Sequence, residues 1–294
     1  MDSQMQLKYY EERFDAQYGE KEENLQEMWD RRAGDWDAKY RRETEREQHE
    51  SRIRDVTEYL LRRGVLHPDC DAVDLGCGPG RFVAAFARHA RSATGVDISP
   101  EMTRYGEVWC REQGLGNTAF RAMDFRRADV AALGWEGKFD LAFASITPAI
   151  NGLQGLENFL RISRGWCFNA SFVASENQLH SRIMRELFDR EPSRGGAAHT
   201  SWFHELFNLL WLRGYYPESS YYRQYREIML EADEKTARRL AEFLLEAEEV
   251  TEDSIRRIRR FLEEHAGADG LVPERSESRY GWLLWDVRER RTGT

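Results

Sequence analysis

The run Val73-Asp74-Leu75-Gly76-Cys77-Gly78-Pro79-Gly80-Arg81 constrains this chain more than any other stretch. Apolar residues lead to a carboxylate, glycines crowd the next positions, and helix-forming sequence resumes at Arg81. A glycine loop between a strand and a helix lets a ligand approach the backbone closely and is expected to aim free N–H groups at it. A dinucleotide fingerprint, G-x-G-x-x-G, needs its third glycine at position 81. Here that position is Arg81 and the third glycine is Gly80. Asp74 at the strand end would repel a pyrophosphate but suits a ligand bearing an ammonium group.

Strand and helix patterns alternate on either side of this loop, the signature of a parallel sheet with covering helices. Strands are expected at 72–75, 93–96, 118–122, 139–144 and 167–174. Arg81 to Ala90 reads as one covering helix. The next is capped by Ser99, with Pro100 at its first position. From 176 to 213 the chain reads as mostly helical, with a loop at Pro192 to Ala197; 219–230 is β-prone, amphipathic helices fall near 233–248 and 251–265, and a last strand spans 280–287. The fold expected is therefore α/β: a doubly wound, seven-stranded sheet, mostly parallel with an antiparallel edge hairpin, plus helical insertions. Residues 1–50 are expected as an N-terminal helical lid, 51–175 as a Rossmann-like core, and 176–294 as a helical substrate-side region that supplies the edge strands. Within the first segment Trp29, Ala33, Trp36 and Tyr40 share a helical face. That face is either a core stripe or a gate that orders over bound ligand.

Two further acids stand at strand ends: Asp97 in Thr94-Gly95-Val96-Asp97-Ile98, and Asp124 in Met123-Asp124-Phe125. Strand ends on one edge of a doubly wound sheet converge on one crevice, so Asp74, Asp97 and Asp124 are expected in one site. With these residues assembled, the chain resembles the class I, Rossmann-like S-adenosylmethionine-dependent methyltransferases, chiefly over residues 25–175. The resemblance implies S-adenosyl-L-methionine as cofactor. It implies Asp97 at the ribose hydroxyls, Asp124 near the adenine amino group, and Ile98 and Phe125 beside the adenine. Asp74 with Gly76, Gly78 and Gly80 would hold the methionine moiety, and Trp36, Met102 and Ser145 would complete the cofactor site. Trp29-Asp30-Arg31-Arg32-Ala33 with Trp36 is similar to the lid helix of small-molecule members.

The fourth strand runs into Ser145-Ile146-Thr147-Pro148-Ala149-Ile150-Asn151, the loop that faces the methyl group in that family. It lacks the Asn/Asp-Pro-Pro-aromatic loop common among members that methylate base amines or protein amides. Thr147 and Asn151 are candidate substrate residues. So are His204, Asn208, Trp211 and Tyr215 in the aromatic stretch 201–217, with His204 the candidate base. The plainer reading of His204 and Asn208 is a satisfied pair or a helix end facing water. Methyl transfer from a sulfonium needs alignment and water exclusion more than a catalytic group. The function expected is methyl transfer to a small molecule. The alternatives are a protein or RNA acceptor, and a binding protein without turnover.

A net charge of -9 argues against a nucleic-acid partner, which would need a basic footprint. Cys70, Cys77, Cys110 and Cys167 form no C-x-x-C pair, so reduced buried thiols and no metal site are expected. The polar N-terminus and the absence of a long apolar run point to a cytoplasmic protein with no membrane contact, monomeric or homodimeric.

Overall fold

The computed structural model describes residues 2–18, 24–41, 43–191 and 197–291; the loop expected at 192–197 lies outside them except for Ala197, which is helical. Three helices open the chain: α1 (Ser3–Tyr18), α2 (Leu25–Arg41) and α3 (Glu43–Arg62). Strands and helices then alternate as β1 (Asp71–Leu75), α4 (Arg81–Ala87), β2 (Ser92–Asp97), α5 (Pro100–Glu112), β3 (Thr118–Ala122), β4 (Phe139–Ser145), α6 (Gly152–Ile162) and β5 (Ser163–Asn177). After them come α7 (Gln178–Phe188), α8 (Ala197–Leu212), β6 (Glu218–Glu231), α9 (Glu234–Leu244), α10 (Glu252–His265) and β7 (Leu271–Asp286).

The seven strands form one sheet in the order β3-β2-β1-β4-β5-β7-β6. The pairs β1/β2, β1/β4, β2/β3 and β4/β5 are parallel. Along β6 and β7 the ion-paired positions run in opposite directions, Glu227 with Arg275 and Arg223 with Glu277, as antiparallel neighbours require. The expected mixed sheet with an antiparallel edge is therefore the observed one. β1 and β4 are buried almost throughout, which is why they read as apolar runs rather than as alternation.

The contacts divide the chain into two compact units: residues 1–171, 202–220 and 281–294 in one, and residues 172–201 and 221–280 in the other. The first has a core centred on β1 and β4, where Phe143 stacks on Phe168 at 5.0 Å. The second has its own core, built from Leu179 and Ile183 of α7, Leu240 of α9, and Ile258 and Phe261 of α10. Strands β5, β6 and β7 each begin in one unit and end in the other.

Three features differ from the sequence expectation. The expected helical segment 1–50 holds two helices, α1 and α2, and the third, α3, crosses its expected end. Helix α6 has no counterpart in the expected elements. Gly152 and Gly155 occupy its first turn, and Gly155 is there because a side chain would lie 2.9 Å from the Ile150 carbonyl carbon. A close approach of backbones demands the residue that helix propensity penalises. Finally, β7 starts at Leu271, well before the expected 280, because charged residues alternate through its first half. All four cysteines are buried and free. Among the described residues no helix is long and apolar enough to cross a membrane, and no cluster of three or more His, Cys, Asp or Glu is arranged to hold a metal ion.

Candidate functional site

The parallel registers bring the ends of β1, β2 and β4 to one edge of the sheet. Leu75 lies beside Val96 on one side and Ala144 on the other. Asp74, Asp97 and Ser145 thus come from three adjacent strands. The glycine loop rises from that edge, and its glycines serve different ends. Gly76 and Gly80 have φ of 69° and 72°. At Gly76 an added Cβ would stand 1.9 Å from Thr147 Oγ1, and at Gly80 2.8 Å from the Phe120 ring. At Gly78, φ 50°, a Cβ would meet nothing within 4 Å, so the loop is open to a ligand there.

The expectation of free N–H groups in this loop is corrected by the structure. Gly76 and Cys77 both donate to the Val96 carbonyl, Gly80 donates to Cys77, and Gly78 donates to Asp97 Oδ2 at 2.8 Å. The loop folds back on the end of β2 and satisfies its own donors, as buried backbone must. What it offers outward is close approach, and the unspent groups beneath it are carboxylates.

Asp97 is 9% exposed and accepts from the Gly78 and Ser99 amides, leaving lone pairs on both oxygens. Burial raises its carboxyl above the usual range, and those two hydrogen bonds pull it back only in part. Asp74, 3% exposed, accepts no hydrogen bond from any described residue. Burial first, then the charge of Asp97, pushes it well above the normal carboxylate range, against the opposing pull of Arg52. Asp30 of α2 adds a third carboxylate close by. It accepts the Ser99 hydroxyl, and its charge also raises Asp97. Ser145 Oγ is buried without a hydrogen-bond partner among the described residues. The next residue, Ile146, has φ of 51°, a backbone state that strains a β-branched side chain.

The other sequence candidates fall as follows. Ile98, Met102 and Phe125 flank the same edge, with Met102 and Phe125 buried. Asp124 caps the 3-10 turn Phe125–Arg127, and its carboxylate is paired with the Arg126 guanidinium at 2.9 and 3.0 Å. Trp36 packs on Trp29 at 6.2 Å. Thr147 Oγ1 accepts from the Ala149 amide, and Asn151 precedes α6 without capping it by its side chain. His204 and Asn208 bond to one another on an exposed flank of α8. Trp211 and Tyr215 are not brought together with the carboxylates. Their neighbours are Arg291 and Arg290, which follow β7 where Val287 bonds Gly165 at the start of β5. That is the opposite edge of the sheet from the glycine loop.

Sequence reasoning missed the groups that hold α2 in place. Arg81 reaches Asp37 at 2.7 Å in a buried ion pair and stacks 3.6 Å above the Trp109 ring. Arg52 also escaped notice, and Asp30 stood out only as part of the lid motif, because a charged residue in a charged helix gives no signal of the face it turns inward.

A strand, a glycine loop and an acid-ended second strand in parallel register match a known domain. The family model described as a methyltransferase domain fits residues 72–162, which run from β1 to the end of α6. The chain has a methyltransferase domain. Its fold is the class I, Rossmann-like one expected from the glycine motif. The ubiquinone biosynthesis O-methyltransferase of Methylococcus capsulatus is 37% identical to this chain over 70 residues, 24% of its length. The matched stretch spans 28% of that relative's length. Among solved structures, a putative methyltransferase from Bacillus halodurans C-125 is similar over 79% of this chain and 98% of its own, at 11% identity and a TM-score of 0.48. Magnesium protoporphyrin IX methyltransferase from Synechocystis PCC 6803, with bound SAH, is similar over 78% of this chain and 94% of its own, at 16% identity and a TM-score of 0.43.

A methyltransferase domain of this class implies S-adenosylmethionine, and the residues present fit that group. Buried carboxylates with raised protonation ranges call for a cationic or hydroxyl-bearing ligand. The Ser145 hydroxyl has no polar partner among the described residues, and Gly78 leaves room for close approach.

Proposed function

We propose that this chain transfers a methyl group from S-adenosylmethionine to a small-molecule acceptor at the edge formed by β1, β2 and β4. The observation that carries the reading is the pair of buried carboxylates, Asp74 and Asp97, set under a glycine loop with too few donors of their own. When bound, the cofactor supplies a methyl group on a sulfonium that needs no further activation.

The protein's part is binding, orientation and water exclusion. Asp97 offers its remaining lone pairs to vicinal hydroxyls, and Asp74 offers a buried negative charge to an ammonium. A cation placed there would draw Asp74 and Asp97 into the charged form, which favours a cationic donor over a neutral product. Ser145 presents a hydroxyl at the end of β4. A general base is not required, and His204, exposed and bonded to Asn208, is the weaker part of the sequence reading. The small-molecule assignment draws support from the loop after β4, which lacks the double proline and aromatic of amide- and base-modifying members, and from the O-methyltransferase relative.

The test is a metabolite-extract screen that follows S-adenosylhomocysteine release, with the labelled product identified by mass spectrometry. Methyl incorporation into protein or RNA alone would overturn the acceptor class. Cofactor binding without turnover on any extract would overturn the activity.

A further inference from the structure

Strand β6 closes one side of the sheet, and no described strand pairs with its outer edge. Edge strands in soluble proteins are normally guarded by shortness, proline, charged side chains (lysine above all) or a bulge. At the opposite edge β3 has five residues. β6 has fourteen, Glu218-Ser-Ser-Tyr-Tyr-Arg-Gln-Tyr-Arg-Glu-Ile-Met-Leu-Glu231, with no proline, glycine or lysine, and with three tyrosines and an isoleucine that favour strand. One face, Tyr221, Arg223, Tyr225, Glu227 and Met229, is exposed along its length; Tyr225 is 67% exposed.

The sequence of β6 is complementary to itself. In an antiparallel pair of two copies centred on Tyr225, each residue faces the one equally far on the other side of the centre. Arg223 then meets the second copy's Glu227, and Glu227 its Arg223. Tyr221 meets Met229, Tyr222 meets Ile228, Gln224 meets Arg226, and the two Tyr225 rings meet at the twofold axis. A slip of one residue that puts the centre between Gln224 and Tyr225 would set Arg223 against Arg226 instead. Within one chain Arg223 approaches Glu277 at 4.0 Å and Glu227 pairs with Arg275 at 2.6 Å. Across the junction these join into two alternating rows, each Glu277, Arg223, then the other copy's Glu227 and Arg275. Opposite charges on facing strands stabilise a sheet, and like charges destabilise it.

We infer that a second copy of this chain pairs with β6, antiparallel and centred on Tyr225, so that two sheets join into one. Sedimentation analysis of the intact protein is expected to give a dimer at micromolar concentration. Arg223→Glu and Glu227→Arg each place two like-charge contacts at the junction, and each variant alone is expected to be monomeric. Mixed in equal amounts they restore both attractive contacts and should form a heterodimer. Circular dichroism melts check that both variants fold, and recovery of the dimer on mixing cannot come from unfolded chains. A monomeric wild type overturns the inference. So does a dimer that both single variants leave intact, and so does failure of the folded variants to associate when mixed.

Discussion

Asp97 is held in the folded protein at a cost. Burial raises its carboxyl above the unfolded range, so ionisation at neutral pH is disfavoured relative to the unfolded chain. An acid whose folded range is raised makes the ligand-free protein less stable as pH climbs past the unfolded value, and more stable again as pH falls. Asp97→Asn removes the titrating group, so the ligand-free variant should lose the rise in melting temperature toward acid pH that the wild type shows, while its single amide oxygen can accept only one of the Gly78 and Ser99 amides. The same change should weaken S-adenosylmethionine binding by roughly 1.5–3 kcal/mol, the loss of charge-assisted hydrogen bonds. Calorimetry and thermal melts on the same pair of proteins check both halves, and equal affinities would remove Asp97 from the site. Asp71, at the start of β1, behaves oppositely. The Arg91 guanidinium holds it down to about 2, with Ser92 and Arg164 assisting. Its contribution is present above the unfolded carboxylate value near 3.8 and is lost as pH falls toward 2. Asp71→Asn is expected to lower stability by about 1–2 kcal/mol at neutral pH, less than the full linkage value because the arginines are half exposed. Denaturant unfolding should show the gap closing in acid. At Ile146 the strain is in the backbone. Its side chain is 42% exposed and contributes little packing, so Ile146→Gly should stabilise the fold by about 1 kcal/mol. If the strained turn aims Ser145 into the site, turnover falls in the same variant. A variant with lower stability would show that Ile146 packing outweighs the strain.

Among the elements, α2 is the one whose behaviour the tertiary contacts redefine. The aromatic face of Trp29, Trp36 and Tyr40 is compatible with a gate that orders only over bound ligand. Yet α2 packs on α3 and α5, Ala33 is buried, Asp30 takes the Ser99 hydroxyl, and Asp37 is buried against Arg81. Arg81 stands where a dinucleotide-binding loop would have its third glycine, and here it ties the helix to the loop. Breaking a buried ion pair from one side strands a charge, so Arg81→Ala should cost roughly 3–5 kcal/mol. Hydrogen exchange is expected to show residues 25–40 protected without ligand in the wild type and deprotected in the variant. Protection that appears only with S-adenosylhomocysteine would restore the gate.

For the whole molecule, the two cores make separate demands on the chain. The second unit consists of two stretches, 172–201 and 221–280, each bounded by residues of the first. Phe261, 3% exposed in the second core, can be truncated without touching β1 to β4. Phe261→Ala should destabilise the second unit by about 3–5 kcal/mol. Hydrogen exchange should rise in α7, α9 and α10 while β1 to β4 keep their protection and the Asp97 site keeps its affinity. Uniform loss of protection would mean that the units unfold together.

Local sequence determined the glycine loop, the strand ends with Asp74 and Asp97, the cap at Ser99 and the mixed sheet. Each rests on a short-range rule: positive φ admits glycine, buried parallel strands are apolar runs, and a hydroxyl before a helix caps it. Helix α6 escaped the same rules because Gly155 answers to a close approach by Ile150, a contact rather than a propensity. The loop amides were expected to be free, and only the fold turned them onto Val96 and Asp97. Trp211 and Tyr215 share an aromatic helix end with nothing local to say which edge of the sheet it reaches. The return of β7 beside Gly165 decided that. Arg81 with Asp37, and Arg52 near Asp74, are partners far apart in sequence. A periodic pattern reveals which face of an element is apolar, but which charge a side chain meets across the core depends on how the elements are stacked, and that was settled only in three dimensions.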